Sequence, residues 1–106
     1  MNRWERRYAD EVLAVRKIAG EVAWWSWESI KVRLAKRTWY TPDFAVKLVT
    51  GELEFHEVKG HWRDDAKVKV KVVASMYPMR LLVVRWVDGR WDIQPVGGND
   101  GQERMG

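Results

Sequence analysis

Tyr40-Thr41-Pro42-Asp43-Phe44, followed a hairpin's length later by His56-Glu57-Val58-Lys59-Gly60, is the part of this sequence whose reading decides the fold. Residues 44–49 alternate as a strand, with Phe44, Val46 and Leu48 on its apolar face. Thr50-Gly51-Glu52 is a turn, and residues 53–59 form the next strand, antiparallel because the connection is so short. Period 2 puts Glu57 and Lys59 on one face of that strand, with Asp43 at the start of its neighbour. Two acids and a lysine converging at a sheet edge can hold a hard divalent cation and place a water against a phosphodiester. Taken singly, Pro42-Asp43 is an ordinary strand start, and Glu57 and Lys59 make an ordinary solvated strand face. Taken together, on two apolar strands, they favour a site.

Upstream, residues 3–19 have a helical period. Trp4, Tyr8, Val12 and Val15 recur at spacings of three and four, with Leu13 and Ile18 nearby. Asn2 is suited to N-cap this helix with Glu5 as the capping-box acid, and Gly20 to end it. Residues 21–34, rich in Trp, Val and Ile, read as one bent strand or two short ones. Residues 35–39 read as a basic connection.

Downstream, Gly60-His61-Trp62-Arg63 is a loop. Residues 64–77 fit two patterns. Lys67-Val68-Lys69-Val70-Lys71-Val72 alternates like a strand, yet Val68, Val72 and Met76, and Ala66, Val70 and Ala74, also fall at helical spacing. The stretch is long for a strand, and Asp64 and Asp65 suit a helix start. The expectation is therefore a crossover helix, which allows residues 80–86 to pair in parallel with the preceding strand. Asp88-Gly89 signals a hairpin into a last strand, 90–95. Residues 1–96 read as a single domain, and the glycine-rich, polar stretch 97–106 as a disordered tail.

These motifs resemble the PD-(D/E)XK nuclease superfamily: Pro42-Asp43, then Glu57-Val58-Lys59. The chain is further similar to a small phage and prophage branch of it, through Glu5-Arg6-Arg7-Tyr8, Ala19-Gly20-Glu21-Val22, Tyr40-Thr41-Pro42-Asp43-Phe44, His56-Glu57-Val58-Lys59-Gly60 and Trp62-Arg63-Asp64-Asp65-Ala66-Lys67. The likeness covers roughly residues 3–86. It implies an α/β, restriction-endonuclease-like αβββαβ core, with a mixed sheet flanked by helices. It also implies that a glutamate of the first helix completes the site, and Glu5 matches that position. Two roles are thus open to Glu5, helix cap and site residue, and Glu11 competes for the second.

The chemistry follows from the residue types. Asp43 and Glu57 are the expected metal ligands, joined by the backbone carbonyl of Val58. Mg²⁺ suits such a site, and Mn²⁺ can substitute. Lys59 would position the attacking water or stabilise the charged transition state. His56 should point away from Glu57 and read as a packing histidine. His61 can touch a phosphate from its loop, and Trp62 is the aromatic best placed for substrate contact. Lys36, Arg37, Arg63, Lys67 and Lys71 could track a nucleic-acid backbone, or could simply be solvated.

Composition sets the outer limits. Net charge is +4 with a pI of about 9.6, which suits a polyanionic partner. Without cysteine there is no disulfide and no thiolate zinc site. No apolar run approaches the roughly 18 residues of a membrane span, and no signal-peptide core follows Met1, so a cytoplasmic location is expected. Walker, Rossmann and Ser-His-Asp patterns are absent, so no organic cofactor is expected. Eight tryptophans are far more than a chain of 106 residues usually carries. Trp24, Trp25 and Trp27 read first as core and dimer contacts, and second as stacking surfaces for DNA.

The leading expectation is a Mg²⁺-dependent endonuclease. So small a domain has little surface for reading a long sequence, which favours DNA shape: branched intermediates such as Holliday junctions. Two symmetric nicks need two sites, hence a homodimer. The alternative is a non-cleaving module that binds nucleic acid or a phage replication partner.

Overall fold

The computed structural model describes residues 1–59 and 64–96, with 64–67 described by backbone alone. The first helix opens with the expected capping box. Glu5 N–H donates to the Asn2 side chain and Asn2 N–H donates to Glu5 Oε1, each at 2.8 Å. The helix then runs as α1 (Arg3–Tyr8), a π-helical turn (Ala9–Leu13) and α2 (Ala14–Ile18). A π turn takes an extra residue, so the inward face shifts along the helix there. Tyr8, Ala9 and Leu13 are buried, whereas Val15 and Ile18, expected on the apolar stripe, face solvent. Gly20, at φ +83°, ends the helix in a conformation that side chains resist.

Residues 21–34 divide into β1 (Val22–Trp27) and β2 (Val32–Ala35), with the break at Glu28. The stretch read as a basic connection is a tight turn at Lys36-Arg37 followed by a strand, β3 (Thr38–Tyr40). Arg37 takes φ +62° in that turn. β2 and β3 pair only with each other and form a hairpin outside the main sheet.

The main sheet has the order β1-β4-β5-β6-β7, with β4 Phe44–Leu48, β5 Leu53–Val58, β6 Arg80–Val87 and β7 Arg90–Val96. Only β5 and β6 are parallel, and α3 (Asp64–Met76) is the crossover between them. The other neighbours are antiparallel, so the sheet is mixed and the fold is α/β. Asp88 and Gly89 both take positive φ, 51° and 76°, as the two-residue β6–β7 turn requires.

Alternation along the central strands separates two cores on opposite faces. Phe44, Val46, Val58 and Val84 pack with Tyr8 and Leu13 of the N-terminal helix. Ala45, Phe55, Leu81 and Val83 pack with Val70 and Val73 of α3 and with Val32 and Tyr40 of the hairpin. The central strands are thus covered on both sides, and one helix lies on each face. The ambiguous valine run is a helix because burial selects helical spacing: Val70 and Val73 are inside, while Val68 is exposed. No described helix is long and apolar enough to cross a membrane.

Candidate functional site

Asp43 ends the loop into β4, and Glu57 lies near the end of β5. Antiparallel pairing of Phe44 with His56 brings them to the same end of the sheet. The location is therefore not the sheet edge that was expected, since β4 and β5 are interior strands. It is the end of the sheet, where central strands stop and their last side chains have room.

Main-chain groups fix both carboxylates. Asp43 N–H donates to Glu57 Oε1 at 2.9 Å, and Val58 N–H donates to Asp43 Oδ2 at 2.9 Å. The Tyr40 hydroxyl also donates to Glu57 Oε1. Lys59, just past β5, has its Nζ 3.3 Å from Glu57 Oε2, and its N–H is anchored on the Val84 carbonyl at 2.8 Å.

A third strand contributes a residue that the sequence reading missed. Directly after β1, Glu28 takes φ +47° and donates its N–H to the Asp43 carbonyl at 2.9 Å. One carboxylate oxygen each from Glu5, Glu28 and Asp43 lie within 4.8 Å of one another. Glu5 is buried, Asp43 half-buried and Glu28 exposed, so the trio runs from the interior to solvent. Glu5 caps α1, and its carboxylate also lies beside those of Asp43 and Glu28. Glu11 does not compete. It is held by Arg7 at 2.9 Å and by the indole N–H of Trp91 at 3.0 Å.

Crowding of acids shapes the electrostatics. Burial, and then the charges of Glu57 and Glu5, push the Asp43 carboxyl up to about 8, although the Val58 N–H and Lys59 act in the opposite direction. A value near 8 favours the protonated Asp43 carboxyl at neutral pH. Burial, with the Glu57 charge next, raises the Tyr40 phenol, which stays a donor to Glu57. Such a cluster of hard oxygen donors can hold a divalent cation, with an ammonium group beside it.

No family model matches the chain, and no curated protein and no solved structure matches it either.

The other expected site residues are spread more widely. Val58 enters through its N–H, which donates to Asp43 Oδ2. Lys36 and Arg37 are exposed in the β2–β3 turn, at the far end of the hairpin from Tyr40, so the fold does not bring them to the carboxylates. Lys71 is exposed on α3. His61, Trp62 and Arg63 lie outside the described residues, as does the side chain of Lys67. His56 is a buried packing residue, as expected: its Nε2 lies 2.9 Å from Glu54 Oε1 and its Nδ1 2.7 Å from the Tyr8 hydroxyl. Burial holds this imidazole below its ordinary pKa. The neutral ring then donates from Nε2 to Glu54 and accepts from Tyr8 at Nδ1.

Proposed function

We propose that this chain is a divalent-cation-dependent endonuclease of the PD-(D/E)XK type. The N-terminal helix, β1, β4, β5, α3 and β6 would form its αβββαβ core, with the β2–β3 hairpin inserted and β7 appended. The observation that carries this reading is the convergence of Glu5, Glu28 and Asp43 within 4.8 Å, beside the Lys59–Glu57 pair at 3.3 Å.

The donor chemistry fits Mg²⁺ or Mn²⁺. Carboxylate oxygens are the ligands such ions prefer, and a carboxyl held protonated by burial and then by its acidic neighbours would give up that proton to a bound cation. When bound, the ion supplies Lewis-acid polarisation of a phosphate oxygen and an acidified water. Asp43, Glu5 and Glu28 would hold it. Glu57, expected as a ligand, lies outside this trio; its Oε1 fixes the Asp43 backbone and its Oε2 pairs with the Lys59 ammonium. Lys59 directs its positive charge toward a phosphate on which negative charge develops. Loss of any of these charges removes stabilisation specific to the transition state.

The proposed substrate is DNA, with branched forms such as Holliday junctions favoured over linear duplex, and the proposed assembly is a homodimer acting in the cytoplasm. The net charge of +4 supports a polyanionic substrate. Trp24 and Trp27, exposed on edge strand β1, support a subunit contact.

One observation favours the second reading, a module that binds nucleic acid without cutting. Both Glu57 oxygens are already engaged by Tyr40, the Asp43 N–H and Lys59, as they would be in a purely structural carboxylate. Incubating the protein with labelled junctions, flaps, duplexes and single strands in Mg²⁺ separates the two. Nicking supports the nuclease, whereas tight binding of intact DNA in every metal tested supports the module.

A further inference from the structure

Lys59 has a second environment besides Glu57. With Val58, Trp4, Trp86 and Trp91 it lines a pocket of about 210 Å³. The three indoles come from three elements and pack against one another. Trp86 and Trp91 are 5.1 Å apart at 73°, Trp4 and Trp91 are 6.1 Å apart at 86°, and Trp4 and Trp86 are 6.1 Å apart. Unlike the buried Tyr8 and Phe44 beneath them, all three are only half-buried. Cations surround the cluster. The Arg7 guanidinium lies 4.4 Å from the Trp86 ring centre and 5.0 Å from that of Trp4, and the Arg3 guanidinium 5.6 Å from Trp4.

The pocket adjoins the carboxylate site along two separate stretches of chain. Trp4 precedes Glu5, which faces Asp43, and Val58 and Lys59 follow Glu57 directly. Its volume is below the roughly 300–1,000 Å³ of ordinary small-molecule sites. It suits one planar heterocycle rather than an entire cofactor. Arg7 is paired with Glu11, which also accepts from the Trp91 indole N–H, so indole walls, the Arg3 guanidinium and the shared lysine are what call for a flat aromatic group attached to an anion.

We propose that the Trp4–Trp86–Trp91 pocket receives one unpaired nucleobase, from a nucleotide adjoining the phosphate that Lys59 contacts. This rests on the nuclease reading for the position of that phosphate, and it adds a basis for substrate choice. A base can enter only where it is already unpaired or easily unstacked, as at a branch, flap or single-stranded end. Paired duplex would have to give up stacking first.

The test is a binding measurement in EDTA, where cleavage does not interfere. Single-stranded oligodeoxynucleotides carry either 2-aminopurine or an abasic analogue at each position in turn. A ribonucleotide set run beside them tells a DNA base from an RNA base. At one position the 2-aminopurine emission should fall as the base stacks on indole, and the abasic analogue there should weaken binding about 10-fold. Trp86→Leu and Trp91→Phe should each reduce that discrimination, with circular dichroism reporting whether they fold. The abasic comparison uses the unaltered protein and holds even if both variants fail. Equal affinity for intact and abasic strands at every position, or no binding of either, would overturn the proposal. Cleavage in Mg²⁺ with no positional effect would remove the base pocket and leave the nuclease. A positional effect without cleavage in any metal would do the reverse.

Discussion

Asp43 and Glu57 are tied to each other through the main chain. Asp43 N–H donates to Glu57 Oε1 at 2.9 Å, and Asp43 Oδ2 accepts from the N–H of Val58, the residue after Glu57, at 2.9 Å. Each carboxylate is held by a main-chain N–H at the adjoining ends of β4 and β5. The site is thus held by rigid elements, as precise chemistry needs.

Tyr40 is part of this support. Its hydroxyl donates to Glu57 from a position where the phenol cannot readily ionise. Tyr40→Phe should cost about 1.5–3 kcal/mol, the usual range for a hydrogen bond to a charged group. Urea unfolding measures this. An unaltered midpoint would show that the bond contributes nothing.

Proton linkage gives a second prediction. Asp43 titrates at about 8 in the folded protein, above its ordinary value of 3.8. A carboxyl raised on folding binds its proton more tightly in the native state, so its stabilisation is complete below the unfolded pKa. That stabilisation is lost as pH rises through the folded value. The metal-free protein should therefore melt at progressively lower temperature from about pH 4 to about pH 8. Asp43→Asn should flatten this slope, and Mg²⁺ should oppose the loss at the alkaline end. A melting temperature that rises over this window in the metal-free protein, or the same slope in Asp43→Asn, would contradict the assignment.

Glu5 and Glu28 separate stability from ligation in different ways. Gln retains the capping box, so Glu5→Gln should fold as well as the parent yet bind Mn²⁺ more weakly. Glu5→Ala should lose the ligand and also destabilise the helix start by about 1 kcal/mol. Glu28→Gly relieves a positive φ and should raise stability by about 1 kcal/mol while weakening Mn²⁺ binding. Calorimetric titration with Mn²⁺ reads the affinities. Unaltered affinity in both Glu5→Gln and Glu28→Gly would remove these residues from the site.

The sequence made much of this arrangement legible, and where it failed the reasons are physical. The β4–β5 hairpin, the parallel β6 and the Asp88-Gly89 turn were readable because turn chemistry and alternation are local signals. α3 was readable because its length and acidic start outweighed a strand-like valine run. The inward face of the first helix was not, since nothing local in residues 9–13 announces a π turn. Glu28 carried no signal of its own within the strand-like stretch 21–34. Its role depends on β1 lying beside β4, a pairing between distant residues that composition does not encode. Tyr40 lay in the motif without a role, because its partner Glu57 is on another strand. Lys36 and Arg37 looked close to the site along the chain, but the hairpin carries their turn away from it.

The most direct test is a time course of nicking on a labelled four-way junction, with the parent protein in Mg²⁺, the parent in EDTA, and Asp43→Asn and Glu57→Gln in Mg²⁺. Asn and Gln preserve volume while removing charge, so circular dichroism should be unchanged. The expected result is cleavage by the parent in Mg²⁺ alone, with activity in the other three reactions lower by at least about 100-fold, the scale of losing a transition-state charge interaction. Full cleavage in EDTA, or by a folded Asp43→Asn or Glu57→Gln protein, would contradict the metal-dependent nuclease.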